Sequence, residues 1–103
     1  MPEHEASLLA GANVEFFTIF AKLAEINFKT AQLFDDLVHH GLGQIAQFPH
    51  SAPLFVDRYR RLRLGRLPFA LFYAIDAKRV FVHAILDIRL PRYAILRRLG
   101  LLR

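Results

Sequence analysis

Arginines crowd into two short stretches of this chain, five at positions 58–66 and four at positions 89–98. A guanidinium keeps its charge at any physiological pH and grips phosphate or carboxylate with a planar fork. Such a set could hold a phosphate backbone, stabilise an anionic transition state or dock on an acidic protein. It could also be a solvated strand edge, protected from unwanted pairing by its charges. The stretch RYRRLRL alternates with a period of two. Tyr59, Arg61 and Arg63 therefore share one exposed strand face, with Leu62 and Leu64 on the other. The net charge of +5 conceals how unevenly these residues are spread. Residues 1–56 hold two lysines against six acids, a balance of −4, and residues 57–103 hold twelve Lys or Arg against three Asp, a balance of +9.

Other chemistries find less support. Asp35 with His39, and Asp36 with His40, are spaced i, i+4 on a helix, as two metal ligands would be. A third ligand is missing, so polar pairing along the helix is the simpler reading, and neither a metal nor a cofactor is expected. The chain has no cysteine, which removes disulfides and thiolate metal sites. No glycine-rich phosphate loop and no nucleophile–base pair of recognisable spacing occurs. His83 runs in step with Phe81 and Ile85 and reads as a satisfied core or interface histidine. Tyr73, in an apolar strand, reads as a packed core aromatic.

The elements that must carry the arginines follow from hydrophobic period. Leu9, Ala12, Phe16, Ile19 or Phe20, and Leu23 recur at steps of three and four, an amphipathic helix. Asn27 breaks it, since Asn tolerates the left-handed conformation that ends helices. Ala31, Phe34, Leu37 or Val38, Leu42 and Ile45 form a second stripe, weakened at Gly41 and Gly43 and stopped at Pro49. The two make an antiparallel helical hairpin. Residues 49–53 read as a loop, followed by the arginine-bearing strand and a turn at Gly65 and Arg66. Residues 67–75 and 80–86 are apolar on both faces and rich in Val, Ile, Phe and Tyr, as strands covered on both sides are. Residues 76–78 form a short hairpin loop between them. Pro91 ends the last strand, and RYAILRRLGLLR can form a short helix. The expectation is one α+β domain spanning residues 1–103, with the helical hairpin on a small twisted antiparallel sheet whose centre is the 67–87 hairpin.

With 103 residues, 54% of them hydrophobic, the chain can bury one core but not two. Its first residues are acidic and lack a long apolar run, unlike a signal peptide. The uncharged stretch at residues 38–56 contains three His, two Pro and two Gly, which disqualifies it as a membrane span. A cytoplasmic domain without membrane contact is expected.

Three stretches in register resemble the ParE/RelE superfamily of toxins from bacterial type II toxin–antitoxin systems, the plasmid stabilisation proteins. AQLFDDLVHHGLGQIAQFPHSAP is similar to the family's second helix. YRRLRLGRLPFALFYAID is similar to its second and third strands, with the Pro-aromatic-x-x-x-Tyr pattern at Pro68, Phe69 and Tyr73. RVFVHAILDIRLPRYAILRR is similar to the last strand, the Arg-and-Pro segment and the terminal helix. The likeness runs from about residue 15 onward. Family members open with a strand that joins the sheet, and here it is short or missing. Asp87 stands where the family keeps a His, and Ala70 where it keeps an Arg.

The resemblance implies two activities. A RelE-like protein cuts messenger RNA on the ribosome, and Arg61, Arg63, Arg89 and Tyr93 are then the catalytic candidates, though no lysine is placed to act as a base. A ParE-like protein poisons DNA gyrase by docking and needs no catalytic set, which suits these residues better. Its target-binding candidates are Arg61, Arg63, Arg89, Arg92, Tyr93, Arg97 and Arg98, with Ile95, Leu99 and Leu102 as an accompanying apolar stripe. Either toxin implies a cognate antitoxin, for which Phe16, Phe17, Phe20 and Phe28 are the candidate contacts, because one stripe cannot bury them all. An unpaired sheet edge could accept a strand from that partner or from a second copy, giving a homodimer. A small basic domain that only binds RNA, DNA or protein is the alternative outside the family.

Overall fold

The computed structural model describes residues 4–102. Strand β1 (Glu5–Leu8) leads into helices α1 (Ala10–Ile26) and α2 (Phe28–Gln47). Strands β2 (Leu54–Val56), β3 (Tyr59–Arg63), β4 (Phe69–Asp76) and β5 (Arg79–Asp87) follow, and helix α3 (Arg92–Arg98) closes the chain. The strands form one sheet in the order β1-β5-β4-β3-β2. β1 runs parallel to β5 and every other pairing is antiparallel.

The sheet is therefore mixed, not wholly antiparallel as expected. The opening strand is present, four residues long, and Leu9 N–H donates to the Val82 carbonyl (2.9 Å) where α1 begins. A second difference is β2, which takes the opposite edge. The arginine-bearing β3 thus lies one strand in from that edge, paired on both sides. The 67–87 hairpin does supply the middle of the sheet, as β4 and β5.

Both helical stripes fall where the period places them. Ala12, Phe34, Val38 and Ile45 are fully buried, with Phe16, Ile19, Phe20 and Leu23 packed around them. Asn27 does divide the helices, but in an extended conformation (φ −159°, ψ 112°), not the left-handed one. Its side-chain oxygen accepts from the backbone N–H groups of Lys29 (2.9 Å) and Thr30 (3.4 Å), capping α2. Gly41 has a packing reason: a Cβ there would meet Leu71 Cδ1 at 3.2 Å and Leu62 Cδ2 at 3.3 Å. The missing side chain lets α2 sit close on β3 and β4.

The two-sided apolar pattern of β4 and β5 corresponds to two separate cores. Leu71, Tyr73, Val80, Val82 and Ile85 face α1 and α2. Ala70, Phe72, Ala84 and Leu86 face the other way, where Tyr59 and α3 residues Ile95 and the capping Leu99 cover them. Tyr59 Oη donates to the Leu99 carbonyl (3.3 Å) and pins the end of α3 to β3. Tyr73 Oη donates to the Pro49 carbonyl (2.7 Å), so it is the packed aromatic expected and also fixes the loop after α2.

One irregularity shapes the rest. Tyr73 pairs with Val82 and Phe72 with Ala84, leaving His83 as an extra residue in β5. Such a bulge rotates the strand by one position. Ile85 is turned into the helical core while His83 stays on the opposite face, its ring edge-on to Tyr59 at 5.1 Å. The shared parity of His83 and Ile85 in the sequence is broken here.

Candidate functional site

The face of the sheet opposite the helical hairpin gathers most of the expected target-binding residues. Phe55 of β2 lies edge-on against buried Phe72 (5.3 Å) and carries two guanidinium groups. Arg61 of β3 lies 5.1 Å from its ring centre and Arg92 of α3 lies 5.0 Å from it. One ring thus joins two cations that are 31 residues apart in sequence. Arg63 is exposed at the end of the same strand face. On α3, Arg97 lies 5.6 Å from the ring of Tyr93, which is 57% exposed.

The remaining two arginines have carboxylate partners. Arg89 Nε and Nη2 donate to Asp87 Oδ1 (3.0 Å) and Oδ2 (2.7 Å), and the Arg89 N–H adds a third bond (2.8 Å). This holds the Asp87 carboxyl below the usual carboxylate range, chiefly through the side-chain hydrogen bond, and raises Arg89 in turn. Arg98 turns inward. Its Nε donates to Glu15 Oε2 (2.9 Å), and its Nη2 to Glu15 Oε1 (2.9 Å) and the His83 carbonyl (2.9 Å). Glu15 Oε1 also accepts from the Ile85 N–H (3.1 Å). Beyond the end of β1, the bulged edge of β5 has no strand neighbour, and this pair of side chains satisfies it instead. Gly11 makes room, since a Cβ there would collide with the Arg98 guanidinium.

Among the described residues the three ion pairs are His39–Asp35, Arg89–Asp87 and Arg98–Glu15. Arg61, Arg63, Arg92 and Arg97 accordingly lack a carboxylate partner there. Of the lysines, Lys22 and Lys29 are on the helices and Lys78 is in the β4–β5 turn, so none joins the arginine group. The arrangement can hold anionic groups, but it brings no amine base to them.

The apolar stripe expected to accompany the arginines divides. Ile95 and Leu99 are buried against the sheet, while Leu102 is exposed. The four candidate antitoxin contacts divide too. Phe16 stacks on Phe34 (5.5 Å) and on Phe20 (6.2 Å), and Phe16 and Phe20 are half-buried at the core. Phe17, 61% exposed, stands edge-on to Phe16, and Phe28, 58% exposed, edge-on to Phe20. Val14 and Ile26 add exposed apolar surface on α1. The hairpin thus shows an apolar outer surface backed by an aromatic ladder. His39 pairs with Asp35 (3.1 Å) along α2, and no group of three or more metal-ligating residues exists among those described. No described helix is long and apolar enough to cross a membrane.

Sequence reasoning missed Phe55, Glu15 and Gly11. Phe55 had a signal, three apolar residues between Pro53 and the turn residue Asp57, which adopts φ +53°. Glu15 and Gly11 had only their one-turn spacing on α1.

No protein-family model and no curated protein sequence matches this chain. Among solved structures, it is similar to a chain described as belonging to the "Chromosomal ParDE TA system from P. aeruginosa". The two share 17% identity with a TM-score of 0.68, over 81% of this chain and 94% of the other. The chain has a ParE-like α+β fold.

Proposed function

We propose that this chain is the toxin of a type II toxin–antitoxin system and that it acts in the cytoplasm by docking on DNA gyrase. The observation that supports docking over hydrolysis is the arginine face itself. Three guanidinium groups without carboxylate partners, Arg61, Arg92 and Arg97, lie against Phe55 and Tyr93, with exposed Arg63 further along the same strand and no amine base among them. RNA cleavage needs a proton acceptor for the attacking 2′-hydroxyl as well as cations for the phosphate. Protein docking needs neither and spreads its energy over apolar anchors and several charges. Arg61, Arg63, Arg92, Tyr93 and Arg97 form the target surface in this reading, Arg89 lies at its margin, and Arg98 supports α3 from behind.

The cognate antitoxin is assigned to the helical hairpin, on Phe17 and Phe28, with Phe16 and Phe20 as the layer beneath. The outer edges of β1 and β2 have no partner within the sheet, and a strand of the antitoxin or of a second copy could extend either.

Induced expression in bacteria should arrest growth, and co-expression of the neighbouring gene's product should relieve the arrest. Purified protein should inhibit gyrase supercoiling and leave ribosome-bound mRNA intact. Codon-positioned cleavage that disappears in Arg61→Ala would overturn gyrase docking in favour of an mRNA interferase. Absence of toxicity and of both activities would leave a basic binding domain.

A further inference from the structure

The bulge in β5 leaves a pocket that the toxin reading does not use. It lies on the arginine side of the sheet, towards the β4–β5 turn, and encloses about 420 Å³. Small Ala74 on β4 contributes to its lining, with Phe81 and His83 from β5, Leu9 from the β1–α1 link, and Arg58 and Asp76. A volume of this order suits a small molecule.

The polar groups are specific. Arg58 belongs to the two-residue turn between β2 and β3 and lies 5.4 Å from the Tyr59 ring. It has no carboxylate within ion-pair distance among the described residues. The His83 imidazole makes no side-chain hydrogen bond to a described residue, and it leaves no buried unsatisfied nitrogen. Its ring nitrogens are therefore not sealed from solvent, and the residue lines the pocket. Because His83 is the bulged residue, it shares its face with Ala84 instead of alternating with it, so the imidazole replaces what would otherwise be an apolar wall.

We infer that this pocket binds a small oxyanion, a carboxylate or phosphate monoester on a compact apolar body, between the Arg58 guanidinium and the His83 imidazole. A guanidinium fork matches the two oxygens of either group, and the imidazole can donate a third bond. Leu9, Ala74 and Phe81 offer apolar contact to the carbon body. Asp76 limits the ligand, since its carboxylate repels an extended polyanion and a small anion can pass it. That argues against a nucleic-acid backbone here. The assignment stands apart from gyrase docking, and either can fail alone.

The site carries its own readout. Burial, then Arg58, then Arg98 hold the imidazole below the usual histidine range. Other titratable groups around it are Tyr59 from β3, against its ring, Asp76 from β4, in the same pocket lining, and, through Arg98, Glu15 from α1. A bound anion favours the imidazolium and raises its midpoint, and affinity in turn rises as pH falls through that midpoint. The experiment is NMR titration of the histidine rings in the full chain, without additive, with inorganic phosphate and with benzoate. The other four histidines serve as internal references. One or both probes should raise the His83 midpoint by about half a pH unit or more. Arg58→Gln should abolish that rise while itself lifting the midpoint in the absence of anion. Arg97→Gln, outside the pocket, should change neither. Superimposable His83 curves under all three conditions, or an anion effect undiminished in Arg58→Gln, would overturn the assignment.

Discussion

Arg92 and Arg98 lie six residues apart at the two ends of the same short helix, and their surroundings are opposite. Arg92 is exposed, stacked on Phe55 beside a second guanidinium. Arg98 is about one-third exposed, held by both oxygens of Glu15 and by the His83 carbonyl. A charge that meets a carboxylate fixes the chain, whereas one that shares a ring with another cation stays available to an outside anion. Charge counts in a sequence cannot separate these cases, because the partners are 83 residues away for Arg98 and 37 for Arg92. Their energies should differ accordingly.

The largest effect lies in the sheet beneath both ends. Leu71 and Val82 are fully buried in the helical core. Placing Asp at either position buries an unpaired carboxylate at a cost of several kcal/mol, against a total stability of about 5–15. Leu71→Asp and Val82→Asp should lose the cooperative unfolding transition seen by circular dichroism, and a folded, soluble Val82→Asp protein would show the strand to be misplaced.

Next comes the Arg98 end. Glu15→Ala removes the acceptor for both the guanidinium and the Ile85 N–H, leaving two partly buried donors unmatched. We expect a loss of roughly 2–3 kcal/mol, equivalent to about 10 °C or more in melting temperature for a domain of this size. Gly11→Ala should destabilise as well, although Gly to Ala inside a helix ordinarily gains about 1 kcal/mol. A more stable Gly11→Ala protein would mean that Arg98 can leave its place at no cost.

At the Arg92 end the order reverses, with small cost to stability and larger cost to function. Arg92→Ala or Arg61→Ala should lower stability by less than about 1 kcal/mol, as for exposed cation–π pairs. Each should weaken growth inhibition partially, and Phe55→Ala should weaken it more, because it releases both. Equal losses of stability at Arg92 and Arg98 would erase the comparison.

The smallest effect belongs to the exposed Arg89. Asp87 is depressed by Arg89 in the folded chain, so the unfolded chain binds the proton more readily. The pair's contribution is present above the ordinary carboxylate range and is lost as pH falls through the lower folded value. Asp87→Asn should lower stability slightly at neutral pH and change it less in acid, which flattens the acid limb of the stability curve. Denaturant midpoints at pH 7 and pH 3 will show it.

The two amphipathic helices, the central hairpin and the arginine-bearing strand are legible from period alone, since each buries a continuous apolar stripe. Three features are not. β2 is only three residues long and shows no period, so Phe55, the ring that organises the arginine face, receives no element. β1 is defined by pairing with a strand some 74 positions later, which local pattern does not encode. The bulge at His83 is a mismatch between two strands and exists in neither alone. The candidate site depends on all three. For that reason the arginines could be enumerated in advance, while the division between available and engaged ones could not.

The Glu15–Arg98 contact also carries a consequence for how the chain is made. Its acid is on the first helix and its base on the last, 83 positions later. During synthesis the helices and the middle strands emerge first. Until α3 arrives, Glu15 lacks its guanidinium partner, and Ala70, Phe72 and Ala84 lack the cover of Ile95 and Leu99. The contact can close only once α3 has been made, after every strand of the sheet. A nascent chain therefore displays its helical hairpin before the arginine face is assembled, so a partner that recognises the hairpin has access to the protein before its second surface exists.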